Sequence, residues 1–332
     1  MKSPAILLAA FLAATAPAHA AKYTIIDPPN SRYTLANGIN NDGDIVGSYQ
    51  VGNEYLAGFL RAADGAYTTF RYKDKGTDAS AINDKRWIAG HYLADGFYSG
   101  FVRKPNGHME SFSPAAESHV YVTGMDQKGD VAGFTTNIHT GISAGFIRAT
   151  DGAITPVSPP GAHSTQCGSM NRSGMLTGWF VDDSGVYHGF IRALDGTFSV
   201  FDVPDSDGTF AQSINDNGTV AGFYIRDDGI YPGFVRDPSG VLTTYETNAI
   251  YPDSSVYSAI VNQKDEIAGF IYYDFAGYRA FMRTASGKLK LIDPPDEPGS
   301  PSSEATGVNK NGAMVGWYSD LQNITHGFLR AP

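Results

Sequence analysis

The sequence predicts an all-β fold, a seven-bladed β-propeller whose last blade is closed by the N-terminal strand. Three observations lead to this fold class: a sevenfold repeat, four short strand patterns in each copy, and a seventh copy that stops one strand short. Four antiparallel strands in a repeat of about 40 to 50 residues are typical of propeller blades. No segment has the sustained periodicity of a helix.

Each repeat carries an Asn or Asp landmark, a Gly seven residues later, and Phe-x-Arg about a dozen residues further on. The landmarks are Asn40, Asn83, Asp126, Asn171, Asn215, Asn262 and Asn309, spaced 43 to 47 residues apart. The Gly residues are Gly47, Gly90, Gly133, Gly178, Gly222, Gly269 and Gly316. The Arg residues are Arg61, Arg103, Arg148, Arg192, Arg236, Arg283 and Arg330.

The strand pattern within a repeat follows these positions. The first strand ends at the landmark, the second contains the Gly, the third carries Gly-Phe-x-Arg, and the fourth alternates as in 197–201. Turn sequences such as Asn-Asp-Asn-Gly at 215–218 and Asp-Gly at 195–196 separate them. Asn, Asp and Gly adopt the backbone shapes that tight hairpins need.

The two chain ends predict how the last blade is completed. The seventh repeat ends after its third strand, at Gly327–Arg330. The segment that begins at Tyr23 resembles the fourth-strand sequence that begins at Leu289. An N-terminal strand in the last blade would close the ring and leave no unpaired edge.

The repeat pattern Ala-x-x-Ile-Asn-x-x-Gly-x-x-x-Gly, followed by Gly-Phe-x-Arg, resembles the HAF-type extracellular repeat proteins of bacteria. The resemblance covers roughly residues 22 to 332. The His-Ala-Phe core of that family is mostly x-Gly-Phe here, with His only at His188 and His326. The resemblance implies export and a propeller. It implies no established reaction, so it supplies no catalytic residues.

Residues 1–20 have the pattern of a secretory signal peptide: Lys2, an apolar stretch over 5–16, and Ala-His-Ala at 18–20. Residues 21–332 are then expected to form one domain. The apolar stretch is too short to span a bilayer, and no later segment is longer. We therefore expect no membrane insertion and a secreted or periplasmic monomer.

The charge and the residue types of the chain restrict the kinds of ligand and partner that it can bind. The formal charge of −10 disfavours nucleic acid. Metal-binding spacings such as His-x-x-x-His are absent, so we expect no metal and no cofactor. The single cysteine, Cys167, occupies the slot four residues before a landmark, where we expect a small buried side chain. That slot elsewhere holds Ala36, Ala79, Val122, Ala211, Ser258 and Ala305.

Residues present in every repeat are expected to be structural. The landmarks would open hairpin turns, and the Phe residues would form the core between blades. The Gly residues would let adjacent blades approach closely. The Arg residues would bond turn carbonyls or a carboxylate, with a sevenfold anion-binding ring as the less favoured alternative.

Function is expected where the repeats differ, in the loops after the second and fourth strands. The densest His, Tyr, Asp and Arg residues lie in repeats four to six, and the opposite face of short turns is expected to be inert. The candidate ligand-binding residues are His163, Asp183, His188, Tyr231, Tyr257, Tyr278 and Arg279.

Two functions remain open from the sequence. One is a non-catalytic exported propeller that binds a glycan, peptide or envelope partner at the channel mouth. The alternative is a carbohydrate-active enzyme, a polysaccharide lyase or glycoside hydrolase, that uses the same face. The sequence favours binding and identifies no catalytic residue, because carboxylate separations cannot be obtained from it.

Overall fold

A computed structural model describes residues 22–248, 250–273, 277–292 and 302–332. These residues contain 28 strands and no helix, so the chain is all-β, as predicted. No described segment is a helix long and apolar enough to cross a membrane. The predicted signal peptide, residues 1–20, lies outside the described residues.

The strands occupy the four positions that the repeat predicts. The first strands are β2 (Tyr33–Ile39), β6 (Thr77–Ile82), β10 (Ser118–Met125), β14 (Ser164–Met170), β18 (Gly208–Ile214), β22 (Ser255–Val261) and β26 (Ser302–Val308). The second strands are β3 (Ile45–Gln50), β7 (Ile88–Ala94), β11 (Val131–Asn137), β15 (Leu176–Val181), β19 (Val220–Ile225), β23 (Ile267–Tyr273) and β27 (Met314–Ser319).

The outer two positions complete each group. The third strands are β4 (Ala57–Arg61), β8 (Phe97–Arg103), β12 (Ser143–Arg148), β16 (Tyr187–Arg192), β20 (Gly233–Arg236), β24 (Gly277–Arg283) and β28 (Thr325–Arg330). The fourth strands are β1 (Tyr23–Ile26), β5 (Tyr67–Phe70), β9 (Met109–Phe112), β13 (Ile154–Val157), β17 (Phe198–Phe201), β21 (Leu242–Tyr245) and β25 (Leu289–Leu291).

Antiparallel pairing joins the strands in groups of four. The N-terminal β1 pairs with β28, from Tyr23 opposite Arg330 to Ile26 opposite Gly327, which is the pairing that the sequence predicts. Two groups are each joined to a neighbour by one parallel bridge, between Tyr187 and Gly208 and between Tyr33 and Thr325. The architecture is therefore propeller-like, built from repeated four-stranded antiparallel groups.

A β-bulge interrupts each first strand next to its small residue. In most groups the register shifts just after that residue, as between Ala36 and Gly38. In the sixth group it shifts earlier, between Val256 and Ser258. Consequently Ala259 lies opposite Gly269 and takes the place of the small residue, and the assignment of Ser258 to that slot was wrong. Cys167 has its predicted environment: it is fully buried, and burial raises the pKa of its thiol to about 12.

The recurring Gly of the second strand is required inside its own group, not between blades as predicted. A Cβ at Gly222 would lie 2.0 Å from the carbonyl oxygen of Phe210 on the paired first strand. The same approach recurs at all seven Gly positions, at 1.9–2.2 Å. The bulge brings the first-strand carbonyl over the Gly, so no side chain fits there.

The predicted Phe core is confirmed. The seven Phe residues are 0–2% exposed: Phe59, Phe101, Phe146, Phe190, Phe234, Phe281 and Phe328. Their clusters combine two consecutive groups, as where Phe234 packs with Ile191 and Val203 of the preceding repeat. The apolar contacts that stabilise the fold therefore lie between the groups.

Three of the recurring Arg residues, Arg148, Arg236 and Arg283, donate to the carbonyl of the next residue, in agreement with the structural interpretation. Arg236 Nη1 donates to the Asp237 carbonyl at 3.4 Å, and its guanidinium lies 5.0 Å from the ring centre of Phe201 in the preceding repeat. Arg148 also forms an ion pair with Glu110 at 3.0 Å. Each of these Arg side chains covers a seam between two groups.

Candidate functional site

The landmark Asn residues do more than open turns. Asn215 Oδ1 accepts hydrogen bonds from the backbone N–H groups of Asn217 and Thr219, both at 3.0 Å. Its Nδ2 donates to the carbonyl of Asn262, the landmark of the next repeat, at 2.8 Å. One side chain thus shapes its own turn and ties it to its neighbour.

The same bond links six successive landmark pairs. They are Asn40 to Asn83, Asn83 to Asp126, Asn171 to Asn215, Asn215 to Asn262, Asn262 to Asn309, and Asn309 to Asn40. Asp126 is the exception, because an ionised carboxylate has no hydrogen to donate to Asn171. Burial raises the pKa of Asp126. We call this set of landmarks the Asn ring.

A cavity of about 190 Å³ lies at the Asn ring and is lined by side chains from all seven repeats. The residue after each landmark lines this cavity, and its type varies among the repeats: Asn41, Asp84, Gln127, Arg172, Asp216, Gln263 and Lys310. Arg172 is hydrogen-bonded to Asp84 and lies 3.9 Å from Asp216. The short turns are therefore chemically diverse at this position. The sequence analysis, which expected this face to be inert, did not take that diversity into account.

A second cavity, of about 310 Å³, is lined by the first strands of repeats three to seven. Its lining includes Gln166, Trp179 and Phe134. These side chains belong to a cross-strand pair that recurs in every repeat. One member precedes the small residue of the first strand, and the other follows the invariant Gly of the second strand. The pairs are Leu35–Ser48, Asp78–His91, Tyr121–Phe134, Gln166–Trp179, Phe210–Phe223, Ser258–Phe270 and Glu304–Trp317. The pair stands next to the invariant Gly in every repeat, whereas its chemistry changes.

Repeats four to six carry a continuous series of aromatic rings at this level. Phe210 stacks on Phe223 with ring centres 4.8 Å apart, and Phe223 stacks on Tyr231 at 5.7 Å. Tyr257 lies 5.7 Å from Tyr231 and 6.3 Å from Tyr278. We call the set the aromatic arc: Trp179, Phe210, Phe223, Tyr231, Tyr257, Phe270, Tyr272 and Tyr278.

Repeats seven and two carry a carboxylic acid at this pair instead, and Tyr33 of repeat one is influenced by the charges of both acids. We call the following set the polar sector: Glu304, Tyr33, Asp78 and His91. Asp78 lies opposite His91, with Oδ2 and Nε2 4.0 Å apart. Burial raises the pKa of Asp78 and lowers that of His91. Burial also raises the pKa of Glu304 to about 7. Tyr33 has a raised pKa because of its own burial, to which the nearby charges of Asp78 and Glu304 add.

The predicted site residues fall into separate groups. Tyr231, Tyr257 and Tyr278 come together in the aromatic arc. His163 and Asp183 form an exposed pair with a 3.5 Å separation between Nδ1 and Oδ1.

His188 lies instead between Asp202, at 3.0 Å from Nδ1, and Asp182, at 3.5 Å from Nε2. Arg279 Nε donates to the hydroxyl of Tyr273 at 3.4 Å. His326 repeats the arrangement of His188, between Asp27 at 2.6 Å and Asp320 at 3.5 Å.

Sequence reasoning missed Asp78, His91 and Glu304. Each lies within a strand, one residue from an invariant position, whereas the search for function was confined to loops. The available signal was the variation at one strand position across repeats that are otherwise alike. No group of three or more His, Cys, Asp or Glu side chains able to hold a metal ion occurs in the described ranges.

Comparison with solved structures identifies the fold as a β-propeller. A streptogramin B lyase structure matches with a TM-score of 0.62 and 13% identity, covering 94% of this chain and 98% of that chain. A catalytically inactive virginiamycin B lyase from Staphylococcus aureus with quinupristin gives 0.62 and 13%, covering 94% and 100%. The β-propeller domain of the trilobed protease from Pyrococcus furiosus gives 0.61 and 9%, covering 90% and 95%. No protein-family model and no curated protein matches the sequence.

Proposed function

We propose that this chain is an exported, closed seven-bladed propeller that binds a glycan on the aromatic arc without catalysing a reaction. The carrying observation is the run of partly exposed aromatic rings contributed by three successive repeats, with neighbouring ring centres 4.8–5.7 Å apart. Such rings offer flat apolar faces to the C–H surfaces of a sugar, and Tyr hydroxyls add polar contacts at their edges.

Ring closure is supported by contacts between the first and last repeats. β1 pairs with β28, and Asn309 Nδ2 donates to the Asn40 carbonyl at 3.2 Å. Thr306 Oγ1 also donates to the Ala36 carbonyl. With these bonds each four-stranded group has a neighbour on both sides, which supports seven blades around one channel.

Tyr257, at the centre of the arc, stays neutral at physiological pH. Burial raises the pKa of Tyr257, and the neighbouring Tyr231, Tyr278 and Tyr272 raise it further. A neutral phenol both donates and accepts hydrogen bonds, as sugar hydroxyls require. Tyr257 is 38% exposed, so a ligand can reach its ring.

A carbohydrate-active enzyme is the second candidate, because two carboxylates with raised pKa flank Tyr33 in the polar sector. Carboxyls of raised pKa can act as general acids, and paired carboxylates carry out glycoside hydrolysis in many enzymes. The similarity to a streptogramin B lyase is consistent with catalysis on this fold. At 13% identity, however, the similarity shows only that the two chains share a fold.

The test is a glycan-array screen of the mature protein, followed by calorimetry on the best ligand and chromatography for products. Tyr257→Ala and Tyr278→Ala should each weaken binding about tenfold, which is about 1.4 kcal/mol. Tyr257→Trp should retain binding, and Leu194→Ala, on an exposed side chain outside the arc, should leave it unchanged.

Binding that survives both Ala substitutions would contradict the placement on the arc. Products whose formation stops in Glu304→Gln would instead support the enzyme. Export is tested separately, by fractionating the source cells and determining whether the mature N-terminus is Ala21.

A further inference from the structure

A third cavity, of about 320 Å³, lies between the first and second repeats and is separate from the aromatic arc. Its walls include Tyr55 from the loop after β3 and Tyr98 from β8, with Asp78 and His91 from β6 and β7. Its size is within the range of small-molecule sites, about 300–1,000 Å³. Two aromatic walls and a buried polar pair are the composition of a binding pocket.

The charges of the lining are all of one sign. Asp78 and Glu54 carry carboxylates, and no Lys or Arg is among the described residues that line the cavity. Glu54 is already paired with Arg71 at 2.9 Å, outside the lining. Asp78 accepts a hydrogen bond from the neutral Asn37 Nδ2 at 2.6 Å. A buried carboxylate without a cation is costly, and a bound cation would offset that cost.

His91 does not compensate the charge of Asp78. Its lowered pKa keeps the imidazole neutral near pH 7, so it does not supply a cation. Nε2 faces Asp78 at 4.0 Å. Nδ1 is buried, and the ring packs against Tyr98 with 5.0 Å between ring centres. The cavity therefore contains a carboxylate whose neighbouring imidazole is uncharged.

We infer that this pocket binds a small polyhydroxylated amine, the chemistry of a de-N-acetylated hexosamine. The protonated amino group would lie against Asp78, and the Tyr55 and Tyr98 rings would cover the sugar faces. Aromatic walls also attract the ammonium group directly. This site does not depend on glycan binding at the aromatic arc.

Three sugars that differ at one position test the selectivity by calorimetry on the full mature chain: glucosamine, N-acetylglucosamine and glucose. Glucosamine should bind at least tenfold more tightly than either of the others, because only it carries a positive charge. Equal affinity for glucosamine and glucose would overturn the proposal.

The glucosamine affinities of two variants locate the glucosamine-binding site. Asp78→Asn should weaken glucosamine binding at least tenfold. Should that variant fail to fold, Tyr55→Ala decides, since Tyr55 is 65% exposed and its removal should spare folding while weakening binding. Tyr257→Ala is the matched control and should leave glucosamine affinity unchanged. Binding lost in Tyr257→Ala and kept in Tyr55→Ala would assign the amine to the aromatic arc and refute this pocket.

Discussion

The aromatic arc and the polar sector both include the same cross-strand pair of the repeat, and the two regions carry different side chains at that pair. Phe210 faces Phe223 in the fifth repeat, and Asp78 faces His91 in the second. The backbone is the same in both, with a bulge after the small residue and a Gly beneath the first-strand carbonyl. The difference shows that the repeat fixes the position, and that the side chains placed there decide between an aromatic stack and a pair of titratable groups.

The largest expected effect tests whether the two regions share one scaffold. Gly222→Ala and Gly90→Ala should each destabilise the protein by about 3 kcal/mol or more, because either Cβ would lie 2.0 Å from a carbonyl oxygen. Chemical denaturation measures both. Gly229→Ala is the control: its neighbourhood is open, and only its positive φ of 80° opposes a side chain, at a cost of about 1 kcal/mol. Unequal losses at Gly222 and Gly90 would show that the regions are built differently.

A smaller effect is expected at the one gap in the Asn ring. Asp126→Asn should stabilise the protein by about 1 kcal/mol at pH 7, because it provides the missing donor toward Asn171. Asn215→Asp should destabilise it by a similar amount by removing the bond to Asn262. Melting curves of the two variants and the parent protein decide this.

The pH dependence of that gain has a definite sign. Because the folded pKa of Asp126 is raised, the native state is favoured while this group is protonated, and that stability is lost as pH rises through the folded pKa. The advantage of Asp126→Asn should therefore shrink in acid. An advantage that grows as pH falls would contradict the assignment.

The smallest effect distinguishes two equivalent histidines, His188 in the fourth repeat and His326 in the last repeat. Each lies between two carboxylates, but Asp27, the partner of His326, follows the N-terminal strand. His326→Gln should lower the melting temperature by about 1 °C by loosening β1. His188→Gln should lower it less, since its partner Asp202 follows a strand that is continuous with its own repeat. Equal shifts would show that β1 gains nothing special from His326.

The sequence was informative where a residue recurs and less so where it varies. Seven copies of the landmark, Gly and Phe-x-Arg predicted the strands, the Phe core and the pairing of β1 with β28. The role of the Gly was misassigned, because a bulge moves a carbonyl over it and bulges leave no clear mark in sequence. Ser258 was misplaced for the same reason.

For the site, the tyrosine cluster could be predicted because its members lie near variable loops. His163 and His188 were expected to converge with it, yet each is held by carboxylates of its own repeat. The Asp78–His91 pair was missed because 13 residues separate it in sequence. Only the strand register shows that the two are neighbours.

The pairing of β1 with β28 has a consequence for how the molecule is made. Asp27 and His326, which close this last sheet, are 299 residues apart. A ribosome makes β1 before all the other described strands and β28 after them, so β1 has no native partner until β28 has emerged. The interior groups, whose strands pair within one repeat, can form earlier. Formation of the last sheet is then the slowest folding step, because contacts between residues distant in sequence form slowly. A chain truncated before β28 would carry β1 as an unpaired strand at its other end.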